Sequence, residues 1–310
     1  MKRRTDNFSK FYNKKKNSAI KEQFKQERRT ARKERREAID RHFEEKRKIS
    51  PVIASNAKSK NLTATQVSEE FIPLNKYIAH SGICSRRDAA ELVKQGKVTV
   101  NGKLISEPGT KVLPTDTVKV NGKKITISRN FVYILLNKPK DYITTTDDPQ
   151  GRKTVLALVK QATTERIYPV GRLDRNTSGV LLLTNDGDLA QKLSHPSHQI
   201  KKVYHVVLDR ALAKADFEKI ATGVQLEDGI ATVDAIAYAD NKDKTELGLE
   251  IHSGKNRIVR RIFEHLGYDV RGLDRVMYAG LTKKNVQRGK WRLLTEKEIR
   301  ILKYLNDSIH

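Results

Sequence analysis

A carboxylate set between two arginines is the part of this 310-residue chain best suited to chemistry. Gly171-Arg172-Leu173-Asp174-Arg175-Asn176-Thr177-Ser178-Gly179 is a glycine-bounded loop running into an apolar stretch over 180–183. Guanidinium charges on either side favour the ionised carboxylate and can also hold phosphate, so Asp174 is a candidate nucleophile in a loop that also meets an anionic ligand. Arg172, Arg175 and Asn176 are the ligand contacts expected from this loop, and a strand expected over 180–184 would anchor it.

The net charge of +25 is the strongest compositional fact, because such an excess attracts polyanions from a distance. Nucleic acid is the natural partner. An anionic membrane fits less well, since the basic residues are spread over the chain rather than gathered on one amphipathic helix. No run approaches the roughly 18 apolar residues that span a bilayer, and the start, Met1-Lys2-Arg3-Arg4, lacks the apolar core of a secretory signal, so a cytoplasmic protein is expected. The single cysteine, Cys84, provides no intrachain disulfide and no zinc cluster; a small buried side chain in a helix turn is expected there. His195, His198, His252 and His265 lack metal-ligand spacing, so no metal is expected, and Gly254-Lys255-Asn256-Arg257 is not a nucleotide-triphosphate loop.

These residues need elements to hold them. Residues 1–69 read as a basic disordered tail and linker: Lys, Arg, Glu, Asn and Ser dominate, and the scattered aromatics Phe8, Phe11, Tyr12, Phe24 and Phe43 are too sparse for a core. A small domain is expected over 70–129. Leu74, Tyr77 and Ile78 have helical spacing; Ser85 caps a second helix with Asp88 at its third position, Ala89, Leu92 and Val93 inside, and Gly96 as its stop. Arg86 and Arg87 then lie in the first turn, where the helix dipole disfavours cations, which points to an anionic ligand such as phosphate. Asn101-Gly102 and Asn121-Gly122 each predict a type I′ hairpin turn.

A larger α+β domain is expected over 130–310. Its strands fall at 132–136, 180–184, 203–208, 231–238, 246–252 and 275–278; its helices at 155–160, 188–193, 214–222, 257–266 and 296–305, the last with Thr295 and Glu298 in a capping box.

The seventeen residues from Gly171 to Gly187 closely resemble the catalytic signature of pseudouridine synthases, in particular the S4-domain RsuA family acting on ribosomal RNA, in its large-subunit or a related branch. The resemblance runs over roughly 71–305. Leu74-Asn75-Lys76-Tyr77-Ile78, Ser85-Arg86-Arg87-Asp88-Ala89 and Val98-Thr99-Val100-Asn101-Gly102 look like an S4 RNA-binding domain, and Leu136-Asn137-Lys138-Pro139 resembles the catalytic domain's opening strand. What the family implies is a mixed, largely antiparallel sheet and a reaction in which uracil N1 leaves ribose C1′, the base rotates, and C5 joins the same carbon. No cofactor is implied, because no atom is gained or lost.

By the same resemblance Asp174 is the catalytic aspartate. Tyr204, in Lys202-Val203-Tyr204-His205-Val206, stacks on the base or takes the C5 proton, a task for which a phenol of pKa about 10 needs help from its site. Arg260, in Gly254-Lys255-Asn256-Arg257-Ile258-Val259-Arg260-Arg261-Ile262, pairs with the aspartate, and Lys255, Arg257 and Arg261 contact RNA. Lys138 could touch RNA but is left outside the catalytic set. A stacked uridine must be extruded before a carboxylate reaches it. The expected partner is ribosomal RNA, free or in an assembly intermediate, bound by a monomer. A non-catalytic ribosome-assembly factor and a synthase acting on transfer RNA are the other readings.

Overall fold

The computed structural model describes residues 71–127, 130–240 and 243–305; the tail and linker expected over 1–69 lie outside them. The first elements are β1 (Ile72–Pro73), α1 (Leu74–His80), α2 (Arg86–Lys94), β2 (Val98–Val100), β3 (Lys103–Leu104), β4 (Lys111–Val112), β5 (Val118–Val120) and β6 (Lys123–Ile125). β1 pairs with β4, and the other strands form a sheet in the order β3-β2-β5-β6. Ser85 caps α2 as expected: its hydroxyl accepts from the Asp88 N–H at 3.2 Å while the Asp88 carboxylate accepts from the Ser85 N–H at 3.3 Å. Asn101 and Gly102 have φ of +51° and +82°, and Asn121 and Gly122 +50° and +76°, the left-handed pairs that two-residue hairpins need. Leu74, Ile78, Ala89, Val93, Val98 and Val118 are buried together. Cys84 is half-buried in the loop between α1 and α2 rather than in a helix turn, because the chain must leave α1 before Ser85 can cap α2.

The remaining elements are β7 (Tyr133–Lys138), α3 (Val155–Val159), β8 (Tyr168–Val170), β9 (Ser178–Thr184), α4 (Gly187–Ser194), β10 (Lys202–Leu208), α5 (Lys214–Thr222), β11 (Val224–Leu226), β12 (Gly229–Ala231), β13 (Ala235–Tyr238), β14 (Glu246–Ile251), α6 (Ile258–His265), β15 (Val270–Tyr278), β16 (Leu281–Thr282), β17 (Trp291–Leu293) and α7 (Glu296–Lys303). One sheet runs β13-β14-β10-β15-β9-β7-β17, with β16 added to β15 and β8 to β9. Every pairing in it is antiparallel except β15 with β9, so the expected α+β fold with a mixed, largely antiparallel sheet is what forms.

Its central strands β7 and β9 are buried along their whole length. Period-two alternation sends Ile134, Leu136, Leu181 and Leu183 to one core with α3, α5 and α6, and Tyr133, Leu135, Val180 and Leu182 to the other with α4 and α7. That sandwiching fixes the start of β9, and hence the loop that enters it.

One expected strand, 231–238, is two. β12 pairs with β11 in a small ribbon, and β13 pairs with β14 in the main sheet. Residues 232–234 break the run because the chain changes partner there: Asp234 N–H donates to Glu250 O at 2.9 Å, and its carboxylate meets His252 Nδ1 at 2.7 Å. The two parts of the molecule touch where Lys76 of α1 reaches Asp188 of α4 at 2.7 Å.

Candidate active site

Asp174 sits in the tight loop between β8 and β9, closed by Thr177 N–H donating to Asp174 O at 3.0 Å. A buried ammonium group holds the loop from behind. Lys138, the last residue of β7, is 0% exposed, and its Nζ donates to the carbonyls of Thr177 at 2.8 Å, Asp174 at 3.0 Å, Pro139 at 3.1 Å and Arg175 at 3.3 Å. Burial pushes this lysine down to about 8, with the Asp174 and Asp141 charges opposing the shift. Lys138 is therefore not the RNA contact considered from sequence. It is the pin of the Asp174 loop, and its position at the end of an apolar strand beside Pro139 was the only hint.

The loop opens on a cavity of about 320 Å³ lined by Asp174, Tyr204, Lys202, Arg257, Thr177 and Arg275, among others. Asp174 keeps 39% of its side chain exposed, and Arg257 Nη1 stands 3.9 Å from its Oδ2. Tyr204, 9% exposed, lies on β10 between Leu249 of β14 and Arg275 of β15, at a register shift in the β10–β15 ladder. Thus the expected aspartate and tyrosine, distant in sequence, face one space.

Arg260 also comes to the loop, though by its backbone: Nη1 donates to Val270 O at 2.9 Å and Nη2 to Asn176 O at 3.3 Å. Burial and then the Arg257 charge lower its pKa, while Asp174 raises it. The guanidinium within 4 Å of the carboxylate is that of Arg257, the residue at the N-terminus of α6 with φ of +47°, which also reaches Glu264 at 3.0 Å. Arg257 is the left-handed cap outside the helix and stays at the mouth, whereas Arg260, in the first turn of α6, is buried with Ile258 and Val259.

A second buried lysine mirrors the first. Lys202 Nζ donates to His252 O at 2.6 Å, Ile200 O at 3.0 Å and Ser253 O at 3.4 Å, bracing the segment that carries Lys255 and Arg257; burial, then the Arg275 charge, pushes it down to about 8. The cations expected to meet RNA are divided among several places. Arg172, Lys255 and Arg257 line the cavity and are exposed. Arg175 and Asn176 are exposed beside it, with Arg175 at 3.3 Å from Asp141. Arg261 lies outside the lining and is engaged twice by Asp228, at 2.6 and 3.1 Å; Lys255 also donates to Asp228 O at 2.8 Å. Arg86 and Arg87 are exposed at the start of α2. Among the described residues no group of three or more His, Cys, Asp or Glu is placed to hold a metal, and no helix is long and apolar enough to cross a membrane.

A carboxylate, a phenol and several cations line one cavity on a mixed sheet, an arrangement suited to nucleophilic and proton-transfer chemistry on an anionic substrate. Residues 132–265 match the family described as RNA pseudouridylate synthase, and residues 72–118 match the S4 domain. The chain is 43% identical over 237 residues to the ribosomal large subunit pseudouridine synthase B of Bacillus subtilis, covering 76% of this chain and 96% of that one. It is 35% identical over 233 residues to the dual-specificity RNA pseudouridine synthase RluF of Escherichia coli K12, covering 74% and 78%. A crystal structure of a pseudouridylate synthase superposes with a TM-score of 0.54 at 26% identity, covering 74% of this chain and 98% of that one. The chain belongs to the S4-domain pseudouridine synthases of the RsuA family, and its activity is that of an RNA-modifying isomerase.

Lys202, Thr177 and Arg275 carry no expected role from sequence, and Lys138 only that of an RNA contact. Each sits inside a recognisable motif or strand, but only burial and partners reveal what it does.

Proposed function

We propose that the chain converts one or a few uridines of ribosomal RNA to pseudouridine, acting in the cytoplasm as a monomer, with residues 70–129 docking RNA and 130–310 carrying the chemistry. The observation that carries this reading is the single cavity shared by Asp174 and Tyr204. The target nucleotide is extruded from its stack so that its sugar and base enter that cavity. Asp174 attacks the nucleoside as a carboxylate, with Arg257 at the mouth and Arg260 behind the loop supplying positive charge. Tyr204 stacks on the base and accepts the C5 proton once the new carbon–carbon bond has formed. The exposed Arg172, Arg175, Asn176, Lys255 and Arg257, the half-buried Arg261, and Arg86 and Arg87 follow the RNA backbone. The names of the relatives favour ribosomal RNA, and the S4 match favours a structured RNA.

The test uses ribosomal RNA from cells lacking this protein, labelled with tritium at uridine C5, because isomerisation releases that hydrogen to water. The intact chain should release tritium and create a mappable pseudouridine. Asp174→Asn should fall to background while binding the RNA within a few-fold of the parent. Tyr204→Phe should lose about 10²–10⁴-fold in rate, the usual worth of a positioned proton acceptor. Release from transfer RNA alone, or undiminished release by Asp174→Asn, overturns the reading.

A further inference from the structure

Three strands meet in one row at the cavity. Gly179 of β9 pairs with Arg275 of β15, and Arg275 pairs with Tyr204 of β10. Gly179 is required for this approach: its φ is +113°, and a Cβ there would fall 2.2 Å from Arg275 O. The row thus carries Arg275 between the phenol and the end of the Asp174 loop. Arg275 is 2% exposed, donates from Nε to Val180 O at 2.8 Å, and holds its guanidinium carbon over the Tyr278 ring, 4.5 Å from the centroid. Its Nη2 is buried without a hydrogen-bond partner, and among the described residues no carboxylate pairs with it. The hydroxyl of Thr177, also 2% exposed, is likewise buried and unpartnered. Both residues line the cavity.

Unpaired polar groups at such depth weaken the fold, and a ligand in the cavity that pairs with them recovers the loss. The exposed Arg172, Lys255 and Arg257 suit phosphate, which stays partly hydrated. A guanidinium held over an aromatic ring in the interior, in a cavity also lined by a hydroxyl that can accept, suits instead the planar edge of a pyrimidine with a carbonyl next to an N–H.

We propose that Arg275 donates to a carbonyl oxygen of the target uracil, with Thr177 accepting from its N3–H, and stabilises the negative charge that gathers on the ring during the reaction. The inference rests on the function proposed above. When the N1–C1′ bond breaks, its electron pair stays on N1 and spreads to O2 and O4; if C6 is attacked first, the pair passes through C5 to O4. Arg275 keeps its protons in either course. C5 of the ring then forms the bond to C1′; the bond to the Asp174 oxygen breaks as C5–C1′ forms if it was made at C1′, or as the C5 proton leaves if it was made at C6. The C5 proton passes to the Tyr204 side, and N1 takes up a proton from water.

A sulfur-for-oxygen cycle tests this. Short RNAs carrying the mapped target as uridine, 2-thiouridine or 4-thiouridine are turned over once, at saturating enzyme, by the parent and by Arg275→Met. Arg275→Met should lose at least about 100-fold in rate on uridine with RNA affinity changed less than about threefold. One of the two thio substrates should slow the parent about tenfold yet leave Arg275→Met unaffected, since the weakened acceptor has lost its donor already. Multiplicative losses on both thio substrates, a full rate for Arg275→Met, or a loss confined to RNA affinity, as a phosphate contact would give, overturns the inference. Should Arg275→Met not fold, Arg275→Gln enters the same cycle. A parent inactive on uridine RNA brings down the proposed function as well, whereas an active parent with an equally active variant removes only the role of Arg275.

Discussion

Lys138 and Lys202 each keep an ammonium ion out of water by giving its protons to backbone carbonyls, and the carbonyls belong to the two segments that face each other across the cavity. Replacing Lys138 with Met leaves those carbonyls without a donor, a loss of about 1–3 kcal/mol per stranded group if none rehydrates. Lys138→Met should therefore lower the urea midpoint and cut tritium release at least tenfold, while the Tyr204 side of the cavity stays folded. The pH dependence has a definite sign. Both lysines sit near 8 in the fold and near 10.5 unfolded, so between these values the unfolded chain binds more protons and stability from these groups rises with pH. Activity should move the other way, since a neutral amine has one fewer donor for the loop. Single-turnover rates that fall above about pH 8, with no parallel drop in urea stability attributable to these groups, are the expected pair of curves.

At the level of elements, the parallel contact between β9 and β15 organises the site, and two features hold it. Gly179→Ala would force a Cβ into the Arg275 backbone at a positive φ, so a loss of more than about 3 kcal/mol in urea unfolding is expected. Next to Arg275, Asp274 is gripped by Arg288 at 2.8 Å, Ser178 at 2.9 Å and Lys283. Burial alone would raise its pKa, but these hydrogen bonds outweigh it and hold the carboxyl at about 2. A depressed carboxylate stabilises the fold above its unfolded value near 3.8 and loses that stabilisation as pH falls toward 2. Asp274→Asn should be less stable at pH 7 and should show a smaller further loss on acidification than the parent, as read from unfolding midpoints at both pH values.

On the scale of the whole molecule, the charge of +25 governs how RNA arrives. Binding should weaken as salt rises, with the slope set by the number of phosphates neutralised. Changing Arg86 and Arg87 to Gln removes two exposed cations at the start of α2, and should reduce the magnitude of the log–log salt slope by at most roughly 2 without altering the single-turnover rate at saturation. Filter binding to ribosomal RNA over a salt series checks it. An unchanged slope would assign those arginines to solvent.

Features closed within a few residues were legible from the order of amino acids alone. Ser85 with Asp88 and Thr295 with Glu298 form capping boxes, Asn101-Gly102 and Asn121-Gly122 turn their hairpins, and the apolar run entering β9 announces a buried strand, since each depends on neighbours three or fewer positions away. The same holds for the Asp174 loop as a motif. Partner choice was not legible. Nothing in 231–238 says that the chain changes sheets, nothing in Arg257 and Arg260 says which side chain reaches the carboxylate, and an alternating strand does not reveal that Arg275 will be buried facing a cavity. The sequence by itself determined the chemistry available and the local elements, because backbone propensity and charge are properties of short segments. Only the tertiary structure decided which groups lose their water and which atoms complete them, because burial is a property of segments brought together from far along the chain.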